Sequence, residues 1–309
     1  MVTRTGRRDM SKPAGRRDVW ASGPLASTFA VMTVEQLTVP MADGTGIAAT
    51  RRRGVGQTVV LLHAGVADRR AWEAVGESLE ADGLDIVAYD RRGHGDTPAA
   101  DESTTFTHVD DLVAVLDGLG IGRAVVVGNS MGGALALDAA LLHPSRIAGL
   151  VLIGAAVSGM TDDDTPFDWQ LDPLTAALLE PAEDPDADTE ARIAALAHLW
   201  LDGSGAPAGR VGGQPRELFA TMNRRILEIG ASEDAGDAGV DAWTRLGEVS
   251  VPTLCAWGDL DLLPDLPFYE ETARRLAQGP GRVLPGVAHL PGLEQPELVA
   301  DLVREVLRR

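Results

Sequence analysis

Residues 125–137 read VVVGNSMGGALAL, an apolar run that turns through small and polar residues into an apolar stretch with helical spacing. A serine between glycines at such a junction has a physical rationale. A nucleophilic serine must stand clear of its own backbone and beside hydrogen-bond donors. A tight strand-to-helix turn thrusts the side chain outward and brings the first helical N–H groups to where negative charge develops on a substrate. The turn strains the serine, so the residues two before and two after it must be very small. Gly128-Asn129-Ser130-Met131-Gly132 meets that demand, and Gly133 relieves the helix start. This is the G-x-S-x-G nucleophile elbow in its strand–turn–helix setting.

The surrounding pattern supplies that setting. QTVVLLHA (57–64), DIVAYD (85–90), AVVVGNS (124–130), RIAGLVLIGA (146–155), VPTLCAWGD (251–259) and RVLPGVAH (282–289) are short apolar runs. Runs of this kind suit strands covered on both faces. Helical patterns fall between them, around Trp72–Asp82, His108–Leu119, Met131–Leu142 and 296–309. Strands alternating with helices predict an α/β fold with a mainly parallel sheet. Before them, EQLTVPMADG and TGIAATRRRG alternate and are split by Asp43-Gly44, which predicts an antiparallel hairpin.

The alternation breaks over 156–245, where acidic, Pro-rich loops separate the amphipathic stretches LTAALLE, TEARIAALAHLWLDG and PRELFATMNRRILEIG. The predicted organisation is a core of 34–155 and 246–309 with a helical cap at 156–245. Residues 1–33 are basic, rich in Gly, Ser and Arg and lack an apolar period, so they are expected to be a disordered extension.

Composition narrows the partners. The chain has 309 residues, 45% of them hydrophobic, enough for a substantial core. A formal net charge of −19 repels phosphate backbones, so nucleic acid is not an expected partner. No stretch has the apolar length of a membrane span, and the expectation is a cytoplasmic protein acting on a small molecule. The single cysteine, Cys255, lies in a strand-like run and reads as a core residue.

A serine hydroxyl needs a base, usually a histidine oriented by a carboxylate. Of six histidines, His289 follows the last strand-like run and precedes the final helix, which puts it at the same sheet edge as the elbow. The carboxylate is expected from WGDLDLLPD after the preceding strand; Asp261 is the choice, with Asp259 in the turn as the reserve. The order Ser130, Asp261, His289 matches Ser…Asp…His. The oxyanion donors are expected to be the backbone N–H of Met131 and that of Gly65 in HAGVADRRAW, with Val66 next. Trp169, Leu199, Trp200, Phe219 and Met222, with Val66 and Met131, are candidate pocket residues. Each is equally suited to plain packing.

Together HAG at 63–65, DRRGHGDT at 90–97, GNSMGG at 128–133, GDLD at 258–261 and GVAHLPGLEQPE at 286–297 resemble the α/β-hydrolase superfamily, over residues 35–307. The resemblance implies an eight-stranded, mostly parallel sheet with a helical cap inserted after the sixth strand. Its serine argues against the branches that use aspartate there. The chain looks most like cofactor-free enol-lactonases and carboxylesterases, needing no metal. It departs from many relatives at Ala64, where they carry glycine, and at Asn129, where they carry histidine. The implied chemistry is acyl transfer to water from a small or moderate ester, lactone or related substrate. Alternatives are carbon–carbon bond hydrolysis or perhydrolysis on the same triad, and a ligand-binding protein with little turnover.

Overall fold

The computed structural model describes residues 34–101, 104–160, 170–230, 236 and 238–309. The extension 1–33 and Trp169 lie outside the described residues. Strands β1 (Val34–Pro40) and β2 (Gly46–Arg52) form the hairpin, with Asp43 Oδ1 accepting the Thr45 N–H at 2.9 Å in the turn. The remaining strands are β3 (Thr58–Leu62), β4 (Asp85–Tyr89), β5 (Ala124–Asn129), β6 (Ile147–Ile153), β7 (Thr253–Gly258) and β8 (Arg282–Leu284). They form one eight-stranded sheet in the order β1-β2-β4-β3-β5-β6-β7-β8. β2 is antiparallel to both neighbours, and every pairing from β4 through β8 is parallel.

Helices α1 (Glu73–Leu79), α2 (His108–Gly118) and α3 (Met131–Leu142) alternate with the first parallel strands. Between β6 and β7 come α4 (Pro173–Glu183), α5 (Thr189–Leu196), a π-helical segment (Ala197–Gly203), α6 (Gly213–Ile229) and the short α7 (Ala242–Arg245). Then α8 (Leu266–Leu276), α9 (Pro291–Glu294) and α10 (Pro296–Leu307) complete the chain. The starts follow local chemistry: Thr107, Asp172 and Asp188 each accept backbone N–H groups at the N-termini of α2, α4 and α5.

Period-two strand geometry explains why the strand sequences are apolar throughout. Val60, Leu62, Val87, Val126, Leu150 and Leu152 pack on one face against α2, α3 and α8. Their alternates Val59, Leu61, Ile86, Val125, Val127 and Val151 pack on the other against α1 and α10. Trp72, Val75 and Leu79 meet Val299, Val303 and Val306 on that second face. A third cluster joins the loop after β3 (Ala64, Ala67) to Ala197, Leu201, Phe219 and Met222 of the inserted helices and to Leu290. By Val240, Ala242 and Trp243 the chain is already packed in the sheet's first apolar cluster.

β8 is shorter than the apolar stretch 282–289. Pairing ends at Leu284 because Pro285 offers no N–H and Gly286 turns the chain at φ +72°. The residues that follow are thereby released to form a loop at the carboxyl edge of the sheet. Open α/β sheets bind ligands at this edge.

Candidate active site

Ser130 sits at the junction of β5 and α3 with φ +54° and ψ −119°. Among the described residues, only Asp241 and Ala277 are other non-glycines with positive φ. The turn is held from inside: the Ser130 N–H donates to Ile153 O at 2.9 Å, and its carbonyl accepts from Gly133 and Ala156 N–H at 2.8 and 3.1 Å. The flanking glycines are required by contact. A Cβ on Gly128 would lie 2.2 Å from Gly132 O, and one on Gly132 would lie 2.3 Å from Leu62 O. The elbow is thus wedged between its own helix and the end of β3.

Asp261 and His289 converge from the loops after β7 and β8. His289 Nδ1 lies 3.0 and 2.9 Å from the two carboxylate oxygens of Asp261, and both side chains are buried. Leu262 N–H donates to Asp261 Oδ1 at 2.8 Å, orienting the carboxylate. Asp259 does something else: its Oδ1 accepts the Gly286 N–H at 2.7 Å and so shapes the turn after β8. Burial by itself disfavours a charged His289. The carboxylates around it, Asp261 foremost with Asp265 and Glu294, together outweigh burial, and the pKa is raised.

The loop that carries His289 is tied on two sides. Asn129, the residue before the serine, donates from Nδ2 to His289 O at 3.0 Å and to Ile153 O at 2.9 Å. Glu294 accepts the Ala288 N–H at 2.8 Å and pairs with Arg210 from the inserted segment. Arg210 also donates to Gly286 O at 3.0 Å and Asp202 O at 2.7 Å. One guanidinium therefore links the inserted helices to the histidine loop.

Gly154, at the end of β6, has a place in the site that the sequence reading missed. It adopts φ +47°, and a Cβ there would lie 3.0 Å from Asp261 Oδ2 and 3.2 Å from His289 Nδ1. The available signal was a glycine closing the apolar run RIAGLVLIGA, one strand over from the serine.

Ser130 and His289 line one cavity of about 240 Å³, together with Gly154, Ala156, Val157, Met160, Trp200, Asp265, Phe268 and Tyr269. The Trp200 ring lies 4.7 Å from the His289 ring. Of the expected pocket residues, Trp200 is in this wall. Met222 and Phe219 are fully buried in the apolar cluster that seats the inserted helices, Val66 packs against that cluster, and Leu199 is fully buried. None of these four lines the cavity, because on a helix that covers a core the apolar side faces inward. Met131 is 49% exposed, and a Cβ on Gly65 would lie 2.8 Å from its sulfur, so the two expected oxyanion residues are neighbours. Cys255 takes no part, since burial pushes its thiol up to about 12.

These features agree with what the chain matches. The model of the alpha/beta hydrolase fold family matches residues 57–296, and the chain belongs to that family. It is a hydrolase by kinship. A Variovorax paradoxus protein named as a carbamate hydrolase, RutD, is 33% identical over 231 residues, covering 71% of this chain and 79% of that one. A pimeloyl-[acyl-carrier protein] methyl ester esterase of Aromatoleum aromaticum is 31% identical over 256 residues, 81% of this chain and 98% of that one. Among solved structures, a thermophilic esterase from Thermogutta terrifontis superposes with a TM-score of 0.68 at 28% identity, over 89% of this chain and 98% of that one. Among the described residues, no helix is long and apolar enough to cross a membrane.

Proposed function

We propose that the protein is a cofactor-free serine hydrolase that acts on a small ester, lactone or related acyl substrate through an acyl-enzyme. The observation that carries this reading is that Ser130 and His289 line one cavity, with Asp261 bonded behind the imidazole. In the proposed reaction Ser130 Oγ attacks the carbonyl carbon while His289 Nε2 takes its proton. The carbonyl oxygen becomes an oxyanion held by the N–H groups of Met131 and Gly65. The C–O bond to the leaving alcohol then breaks, and His289 returns the proton to that oxygen. Water attacks the acyl-enzyme by the same route and releases the acid.

The cavity supports a small acyl group. At about 240 Å³ it falls below the roughly 300–1,000 Å³ of pockets that enclose drug-sized ligands. Ala156, Val157, Met160, Phe268 and Trp200 offer apolar surface to an acyl chain. In this reading the inserted helices act as a cap that brings Trp200 over the base. The relatives named above act, by their names, on an ester or a carbamate, and both reactions begin with attack at a carbonyl.

The test is labelling with a fluorophosphonate, followed by peptide mapping and a panel of nitrophenyl esters of rising chain length. Modification at Ser130, multiple turnover on short esters and loss of both in Ser130→Ala are expected. Trp200→Ala is expected to shift the preference toward longer acyl chains. Reaction at another residue, or tight ester binding without turnover, would overturn the reading.

A further inference from the structure

Gly65 presents a problem of freedom. The sulfur of Met131 lies 2.8 Å from where its Cβ would go, so a side chain here would have to displace the exposed end of Met131. Glycine is also the residue whose backbone is least restrained. An oxyanion donor must nevertheless point within a few tenths of an ångström of its target. Something outside residue 65 has to supply the rigidity.

Two buried imidazoles lie against the two peptide units that flank it. His63 Nδ1 is 2.8 Å from Ala64 O. Its Nε2 accepts the Arg91 N–H at 3.0 Å, so the ring proton must be on Nδ1, and Nδ1 donates to that carbonyl. The Ala64 carbonyl and the Gly65 N–H belong to one planar trans peptide, so holding the first aims the second. His94, from the DRRGHGDT turn, puts Nε2 3.0 Å from Gly65 O, the carbonyl of the next peptide. Its Nδ1 faces Arg92 O at 3.0 Å. The two rings are 4.8 Å apart, and both are buried. Burial, with the Arg91 guanidinium nearby, pushes His94 down to about 4, so at neutral pH the ring has a single proton to give.

We propose that His63 and His94 are positioning residues that clamp the peptide planes on either side of Gly65 and so aim its N–H at the developing oxyanion. The inference rests on the serine-hydrolase reading above. It also gives the DRRGHGDT motif a role: the turn delivers an imidazole to the oxyanion loop. For the clamp to close, His94 must hold its proton on Nε2 rather than on Nδ1.

The experiment begins with fluorophosphonate labelling of the wild type, then compares His94→Phe with His94→Gln. The phenyl ring keeps the volume and lacks the donor; the glutamine amide restores a donor near the Nε2 position. Loss of a whole oxyanion donor costs about 10²–10³ in kcat, so a loosened one is expected to cost His94→Phe about tenfold or more. KM should stay within about twofold, because the lost interaction is made in the transition state. Affinity for a trifluoromethyl ketone should fall with kcat, and His94→Gln should recover most of both. Nitrogen-15 NMR of the wild-type histidines checks the same point without a variant, with His94 expected as the Nε2–H tautomer and His63 as Nδ1–H. Wild-type labelling at Ser130 with equal kcat in His94→Phe, or an Nδ1–H tautomer for His94, would overturn the clamp alone. A wild type that does not label at Ser130 would overturn the parent reading and the clamp with it.

Discussion

The side-chain amide of Asn129 donates a 3.0 Å hydrogen bond to the backbone carbonyl of His289, across 160 residues of sequence. It joins the last residue of the strand before Ser130 to the loop that bears His289, so one buried side chain bridges the two directly. Removing it leaves the carbonyls of Ile153 and His289 without this donor.

Ile153 O keeps the Ser130 N–H, so Asn129→Leu is expected to lower stability by about 1–3 kcal/mol, the cost of stranding the buried His289 carbonyl. The ester kcat should fall as the base loop loosens. Chemical denaturation and steady-state kinetics read the two effects, and a variant equal to wild type in both would show that the tie is idle.

Ser130 stores backbone strain at φ +54° and ψ −119°. Strain of this kind costs about 1–3 kcal/mol, and glycine escapes it. Ser130→Gly is expected to lose all hydrolysis and to raise the melting temperature, a gain that Ser130→Ala should not match because alanine keeps a Cβ. Calorimetry of the two variants side by side makes the comparison.

Gly154→Ala would drive a methyl group against both Asp261 and His289. Misplacement of a catalytic group by about 1 Å can cost about 10²-fold in rate. The expected result is a fall in kcat of about tenfold to a hundredfold with KM little changed. A KM effect alone would mean that Asp261 and His289 tolerate the intrusion.

The two aspartates of GDLD should separate cleanly. Asp261→Asn removes the charge that orients His289, and comparable changes in Ser-His-Asp enzymes lower kcat by about 10⁴-fold. Asp259→Asn keeps a carbonyl oxygen for the Gly286 N–H and is expected to retain activity within a few-fold. Equal losses from both substitutions would contradict the division of labour seen in the structure.

The pH dependence follows from the sign of the His289 shift. The base must be neutral to take the serine proton, so activity is present above its pKa and is lost as pH falls through it. Since the surrounding carboxylates, Asp261 foremost, together outweigh burial and raise that pKa, the acid limb of kcat/KM should lie above the ordinary histidine value of 6.5. Asp261→Asn should move whatever limb remains to lower pH. A wild-type limb near the ordinary carboxylate range would point to a different titrating group.

Much of this was legible in the chain because it is local. The elbow depends on sterics among five adjacent residues, the hairpin on Asp43-Gly44, and the two-sided sheet on apolar runs whose alternate residues face opposite ways. Serine, aspartate and histidine were readable because each follows a strand, and parallel strands deliver the loops after them to one edge. Less was legible where neighbours come from distant segments. Asp259 and Asp261 are two residues apart in one turn, and only the path of the loop after β8 decides which faces the imidazole. Val66, Phe219 and Met222 have the composition of pocket residues, yet their packing is set by which side of the inserted helices meets the loop after β3.

The amino-acid order thus determined the strands, the strained serine and the sequence of chemical groups along the sheet edge, because backbone sterics and apolar periodicity act over a few residues. Tertiary packing alone decided the cavity wall, the place of Gly154 beside Asp261 and His289, and the two imidazoles against the loop after β3. Those relationships are distances between side chains and backbone atoms on different elements, and they come into being only when the sheet, its helices and the inserted segment close on one another.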